Sequence, residues 1–216
     1  MPCNCCEMEN NTFGEDRAKG DIKEYRRRGP ANQTKLILEA VRSLGLKGVA
    51  LLDIGGGIGT IHHELLNDVA NEATHVDASS AYLNVAKQEA ARRGNSERVK
   101  FIHADFTDVA SDLPQADVVT LDRVVCCYPD FRSLLKTAAT HSRSAVALTY
   151  PRETWYMRMG LSVINFFQGL GKDPFRVFLH PIAEMESLLN QEGLKKISVK
   201  RLFVWEMALY QREMSR

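Results

Sequence analysis

The sequence predicts an α/β fold, with a mostly parallel sheet covered by helices on both faces and closed by an antiparallel terminal hairpin. Three observations predict it. Apolar runs of strand length alternate with segments of helical periodicity from Val49 to Leu148, and such alternation implies crossover connections between parallel strands. The strand runs are apolar throughout, as expected of strands buried on both faces. The last stretch, "LKKISVKRLFVWEMALYQRE", instead alternates apolar and polar residues over two runs, as half-exposed antiparallel strands do. The chain has 216 residues and 44% hydrophobic content, which is enough for one sizeable core and too little for two.

Taken in order, residues 1–12 read as a disordered tail. Its "CNCC" run (Cys3, Cys5, Cys6) lacks the second ligand cluster of a tetrahedral site, so no metal is expected there or elsewhere. The five cysteines, with Cys126 and Cys127, are odd in number and fit reduced thiols. Residues 13–45 read as an N-terminal helical cap. A charged helix from Phe13 to Arg28 ends at Gly29-Pro30, and a second follows Asn32, with Leu36, Ile37, Ala40, Val41 and Leu44 at helical spacing.

Residues 46–212 form the main domain. Strands are predicted at Val49–Ile54, Ala73–Val76, Val99–Ile102, Ala116–Leu121 and Ser144–Leu148. Helices are predicted at Ile61–Val69, Ser79–Arg93, Phe131–His141 and Ile182–Gln191, the last opened by Pro181. The formal net charge of +1 gives no global attraction to nucleic acid or an anionic membrane. No apolar run reaches the roughly 18–20 residues of a membrane span, and no leader pattern opens the chain, so a cytoplasmic protein without stable membrane insertion is expected.

The stretch "LLDIGGGIGT" (Leu51–Thr60) carries the chemistry. Glycines after a buried strand allow close backbone approach, and the helix start behind them offers free N–H groups. A dinucleotide fingerprint begun at Gly55 needs glycine or alanine at position 60 and finds Thr60, and no Gly-Lys-Ser/Thr closes a phosphate loop. Asp53 would oppose a pyrophosphate and attract an ammonium group. In "THVDAS", Asp77 stands about 20 residues on, at the end of the second strand, where a carboxylate can accept both hydroxyls of a ribose. An amino group, a ribose and no phosphate together point to S-adenosylmethionine (SAM).

The chain here resembles the class I SAM-dependent methyltransferases. "LLDIGGGIG", "HVDAS", "FIHADF" and "ADVVTLDRVVCCYPD" look like their four motifs in order, and the terminal hairpin is similar to their antiparallel seventh strand. The resemblance covers Leu46 to about Arg212 and implies a Rossmann-like seven-stranded sheet. By position it implies that Gly55, Gly57 and Gly59 pass beneath the cofactor, with Asp53 near them. Asp77, with Ala78 beside it, would take the ribose diol. Ala104, Asp105 and Phe106 would border adenine, and Leu121, Asp122 and Arg123 would face the methionyl tail. The cofactor would be SAM and the product S-adenosylhomocysteine (SAH).

The acceptor is less legible. Members of the superfamily that methylate nucleobase amines or glutamine amides resemble one another in an Asn/Asp-Pro-Pro-Tyr-like turn, where this chain has "CCYPD". Cys126 and Cys127 read as small buried hydrophobes. Tyr128 is a candidate acceptor contact. Residues 151–180 read as a lid insertion, with Trp155, Tyr156, Met159, Val163, Phe166 and Phe167 on a helix that makes a fairly apolar or aromatic pocket. The C-terminal third is faintly similar to the magnesium-protoporphyrin O-methyltransferases, which favours a small-molecule acceptor methylated at oxygen, with nitrogen the second choice.

His180 is the candidate general base. His62 and His63 read as surface or packing residues, His75 and His103 as hydrogen-bonded core groups, and His141 as a helix end. Tyr25 or Arg26 would reach the methionyl carboxylate from the first helix. Rival readings are a methyltransferase acting on protein or RNA, an NAD-dependent oxidoreductase and a non-catalytic SAM-binding protein. The assembly is expected to be a monomer or homodimer.

Overall fold

The computed structural model describes residues 13–160 and 177–213. The tail 1–12 and the middle of the lid insertion, with Val163, Phe166 and Phe167, lie outside the described residues. Helices α1 (Glu15–Arg28) and α2 (Asn32–Ser43) lead into strand β1 (Val49–Ile54). Then come α3 (Thr60–Leu65), β2 (Ala70–Asp77), α4 (Ser80–Arg92), β3 (Val99–His103), α5 (Phe106–Val109), β4 (Ala116–Asp122), α6 (Phe131–Thr140) and β5 (Ser142–Pro151). The chain ends with α7 (Ile182–Gln191), β6 (Leu194–Arg201) and β7 (Trp205–Arg212).

The seven strands lie in the order β3-β2-β1-β4-β5-β7-β6. β1 to β5 pair in parallel, and β7 runs antiparallel to both β5 and β6. The Rossmann-like methyltransferase sheet expected from the sequence is therefore present. Chain order reverses between β1 and β4, and open α/β sheets bind ligands at such a switch point.

Period-two alternation divides the strands between two cores. Leu52, Val119, Val146 and Ala208 pack on one face with α6 and α7, while Leu51, Val118, Ala145 and Leu209 pack on the other with α2 and α3. That parity matters at the strand ends. Asp53, His75 and Thr120 share the α2/α3 face with Leu51, Ala73 and Val118, where an apolar core would be expected.

Several predicted boundaries move: β5 lengthens to Ser142–Pro151, the first helix starts at Glu15, and the junction of α3 and β2 shifts. α3 stops at Leu65 rather than Val69 because residues 66–69 turn into β2, which begins at Ala70 rather than Ala73. α1 folds back over the β-sheet domain through a small separate core of Ala18, Ile22, Tyr25, Ile58 and Tyr82. Its i, i+4, i+7 apolar stripe faces inward, as an amphipathic helix requires. Among the described residues, no helix is long and apolar enough to cross a membrane.

Candidate functional site

A cavity of about 620 Å³ opens at the carboxyl ends of β1 to β5. Its floor is the loop after β1, where Gly57 holds φ +56° and Gly59 holds φ +83°, values that favour glycine. Gly55 and Gly57 line the cavity, whereas Gly59 does not. A side chain on Gly59 would point inward, with its Cβ 2.6 Å from His62 Nε2 and 2.7 Å from His63 Nε2.

Asp77 ends β2 on the cavity wall. Its Oδ2 accepts from Gly57 N at 2.8 Å and its Oδ1 from Ser79 N at 2.8 Å, which fixes the carboxylate against the loop. Burial raises its pKa to about 6, with the two backbone donors opposing that shift. Ala78, Ala104 and Phe106 line the cavity beside it. Asp105 also borders the cavity, but it is buried and caps α5, its Oδ1 accepting from Thr107 N at 3.0 Å and from the Tyr128 hydroxyl at 2.8 Å.

At the end of β4, Asp122 and Arg123 line the cavity, while Leu121 is fully buried and does not reach it. Asp122 accepts from Thr34 Oγ1 at 2.6 Å and Thr149 Oγ1 at 2.5 Å. Arg123 has φ +62° and is the single non-glycine residue with positive φ among those described. Such a conformation costs about 1–3 kcal/mol and persists only where the surroundings impose it, here by Arg123 N donating to Thr149 Oγ1 at 2.9 Å.

Asp53 does not touch the cavity. It is 1% exposed and accepts from Thr120 Oγ1 at 2.8 Å, beneath the glycine loop. Of the surface or packing roles expected for His62 and His63, packing holds: both are fully buried, because α3 turns them under Gly59. Two further expectations are corrected. His103 is exposed rather than in the core, its Nε2 bonded to Ala78 O at 2.9 Å. Tyr25 and Arg26 do not reach the cavity: the Tyr25 hydroxyl donates to Glu64 and Arg26 bonds Glu89, tying α1 to α3 and α4.

Arg17 and Asp21 of α1 do reach the cavity, with Phe13 just ahead of the helix. The i, i+4, i+8 spacing was readable in the sequence, but the charge density of α1 suggested a solvated face. Asp21 accepts from the Tyr82 hydroxyl at 2.6 Å, and the Phe13 carbonyl accepts from Ser79 Oγ at 2.9 Å, so the start of α1 is pinned to α4 and its cap.

On the opposite wall, Cys126, Cys127 and Tyr128 line the cavity. Cys126 is buried, but Cys127 is half-buried, and their sulfurs lie 3.7 Å apart. Burial and the acidic neighbour Asp105 push the Tyr128 hydroxyl well above its usual range, so it is protonated at neutral pH. His180 stacks between Phe131 and Phe178 and its Nε2 lies 3.0 Å from the Tyr128 carbonyl, to which it donates. It does not line the cavity, so its ring braces the 125–128 turn rather than facing a reactant. In the helical stretch 155–160, Met157 and Gly160 line the cavity, whereas Trp155 and Met159 are exposed, the reverse of the sequence expectation. A second cavity of about 310 Å³, beside Glu72, Arg98 and Arg143, lies at the amino ends of the strands, away from these groups.

The fold, the glycine loop and the acid at the end of β2 define an α/β domain with its cavity at the switch point of the sheet. Residues 51–144 match the family model described as a methyltransferase domain. It is 28% identical over 146 residues to a release factor glutamine methyltransferase of Chlorobaculum tepidum, a match covering 56% of this chain and 50% of that protein. The chain thus spans about half the length of that curated relative. Magnesium protoporphyrin IX methyltransferase from Synechocystis, solved with bound SAH, superposes with a TM-score of 0.69 at 19% identity, covering 92% of this chain and 98% of that one. An O-methyltransferase family protein from Burkholderia thailandensis gives a TM-score of 0.74 at 15% identity, covering 97% of this chain and 63% of that one.

Proposed function

We propose that the protein is a SAM-dependent methyltransferase that methylates a small, fairly apolar or aromatic molecule, at oxygen in preference to nitrogen. The cofactor reading rests on chemical fit. Asp77 lines the cavity with each oxygen held by a backbone donor, the bare Gly57 backbone runs beside it, and Ala78, Ala104 and Phe106 give an apolar slot for a base. Arg17 and Arg123 supply positive charge for the cofactor's carboxylate. Bound SAM would supply an electrophilic methyl group on a sulfonium.

What the chain contributes is alignment and exclusion of water. α1 covers one side of the cavity through Phe13 and Arg17, and residues 125–128 and 157–160 border the other. The Tyr128 hydroxyl, protonated and bonded to Asp105 and Thr107, is a positioning group and not a base. His180 is retained only as a brace, since its Nε2 faces a backbone carbonyl. An acceptor that arrives ionised, such as a carboxylate, needs no general base.

The observation that carries the acceptor class is the apolar continuation of the cavity past the Asp77 pocket, through Leu134, Met157, Val204 and Trp205. Its walls suit a planar, apolar body more than a polar peptide or an RNA backbone. The lid role of residues 151–180 and the cap role of residues 13–45 belong to the same proposal. Methyl-labelled SAM, incubated with a panel of aromatic acids and phenols and separately with protein and RNA fractions, tests it. Label in small-molecule esters or ethers is expected, and label confined to protein or RNA would overturn it.

A further inference from the structure

We propose that Asp53, His62 and His75 form a binding site for one divalent transition-metal ion, zinc in the first instance, buried directly beneath the glycine loop. No metal-ligand spacing marks these residues along the chain, because they come from three elements and meet only through the sheet register. Asp53 on β1 pairs with His75 on β2, and the first turn of α3 lays His62 over them. All three are at most 1% exposed.

The distances suit coordination. His62 Nδ1 lies 3.2 Å from Asp53 Oδ2 and 3.3 Å from His75 Nδ1, and one donor atom from each residue falls within 4.8 Å of the others. Tetrahedral zinc with bonds of about 2.0–2.1 Å sets neighbouring ligand atoms about 3.3 Å apart. His63 packs on His62 with ring centroids 4.2 Å apart but stands outside the set of converging ligand atoms.

Hydrogen bonding alone accounts poorly for this convergence. A neutral imidazole has one N–H and one lone pair, at different nitrogens. His62 Nδ1 faces two partners, so at best one shared proton serves both Asp53 and His75, and otherwise two lone pairs or two protons oppose each other. A cation at the centre satisfies all three. The nitrogens on the far side of these rings, His62 Nε2 and His75 Nε2, have no partner among the described residues and are not the atoms that converge on the proposed ion.

The surroundings agree. Thr120 Oγ1 donates to the second oxygen of Asp53 at 2.8 Å, as the outer partner of a ligating carboxylate does. His75 Nε2 lies 3.9 Å from Asp77 Oδ2, which connects the cluster to the cavity wall. The loop roofs the site closely: a Cβ on Gly56 would stand 2.7 Å from Asp53 Oδ2 and 2.9 Å from His75 Cε1.

The test is independent of the cofactor reading. The full chain is purified without metal-affinity resin or chelator, and its zinc is counted by plasma mass spectrometry, with about one zinc per chain expected. The chain is then stripped with a chelator and titrated with zinc alone. A rise in Tm of about 5–10 °C is expected at a hundredfold excess over Kd. His62→Gln and His75→Gln, folded by circular dichroism, should each lose that shift and the bound zinc. Stripped wild-type protein that stays folded and shows no shift at about 100 µM zinc overturns the proposal, as do variants that retain stoichiometric zinc. Should the variants fail to fold, the wild-type titration decides alone.

Discussion

The two sides of the glycine loop make opposite demands on the same five residues, 55–59. Above it, Gly55 and Gly57 present bare backbone to an open cavity beside Asp77. Below it, Gly56 and Gly59 lie against Asp53, His62, His63 and His75, where a Cβ would collide with buried rings. In the proposed reading the upper pair serves a ligand, and the lower pair serves packing. A glycine run that looks like one motif is thus two interleaved ones, and substitutions should separate them.

The largest effect is expected below the loop. Gly59→Ala combines a strained left-handed φ of +83° with overlap at His62 and His63, and should cost about 3 kcal/mol in denaturant unfolding. A cost under about 1 kcal/mol would mean that the histidines yield readily. Above the loop, Asp77→Ala should weaken SAH binding by about 1.5–3 kcal/mol, roughly ten- to a hundredfold by calorimetry. Its effect on Tm should be small, since burial disfavours the ionised carboxylate and its removal relieves that penalty.

Acid separates the two sides by sign. SAH affinity should fall as pH drops through about 6, where Asp77 gains a proton and loses acceptor capacity. The histidines act on folding. Burial depresses His62 and His75 to about 3 and His63 to about 2, so each is neutral when folded and prefers the unfolded state once protonated. Their contribution is intact above the ordinary histidine value of 6.5 and is lost as pH falls from there toward about 3. Asp77, with its folded pKa raised from 3.8 to about 6, offsets part of that loss below pH 6. A Tm that stays flat from pH 7 to 5 would contradict the buried, neutral histidines. The smallest effect is expected at Tyr128→Phe, which removes the hydroxyl bonded to Asp105 and should cost about 0.5–1.5 kcal/mol in unfolding while turnover survives.

The sheet was legible because strand parity and alternation are local properties of the sequence. Asp77, Ala78, Ala104 and Phe106 were legible because a motif fixes them to strand ends, and strand ends meet at the switch point. Asp53 was placed correctly on β1 and wrongly in the cavity, since period two turns it to the α2/α3 face along with Leu51. The histidine cluster was illegible because His62 and His75 meet only after β1 and β2 pair, a contact with no spacing signature. His180 misled in the same way. Its position before Pro181 was clear, but the two rings that clamp it come from α6 and the returning segment 177–180.

Calorimetric titration of the full chain with SAH at neutral pH addresses the central claim, that the cavity beside Asp77 is a sulfonium-nucleoside site, most directly. One-to-one binding in the micromolar range, weakened in Asp77→Ala, is the predicted result. Absence of heat at high micromolar SAH, from protein shown to be folded, would contradict it.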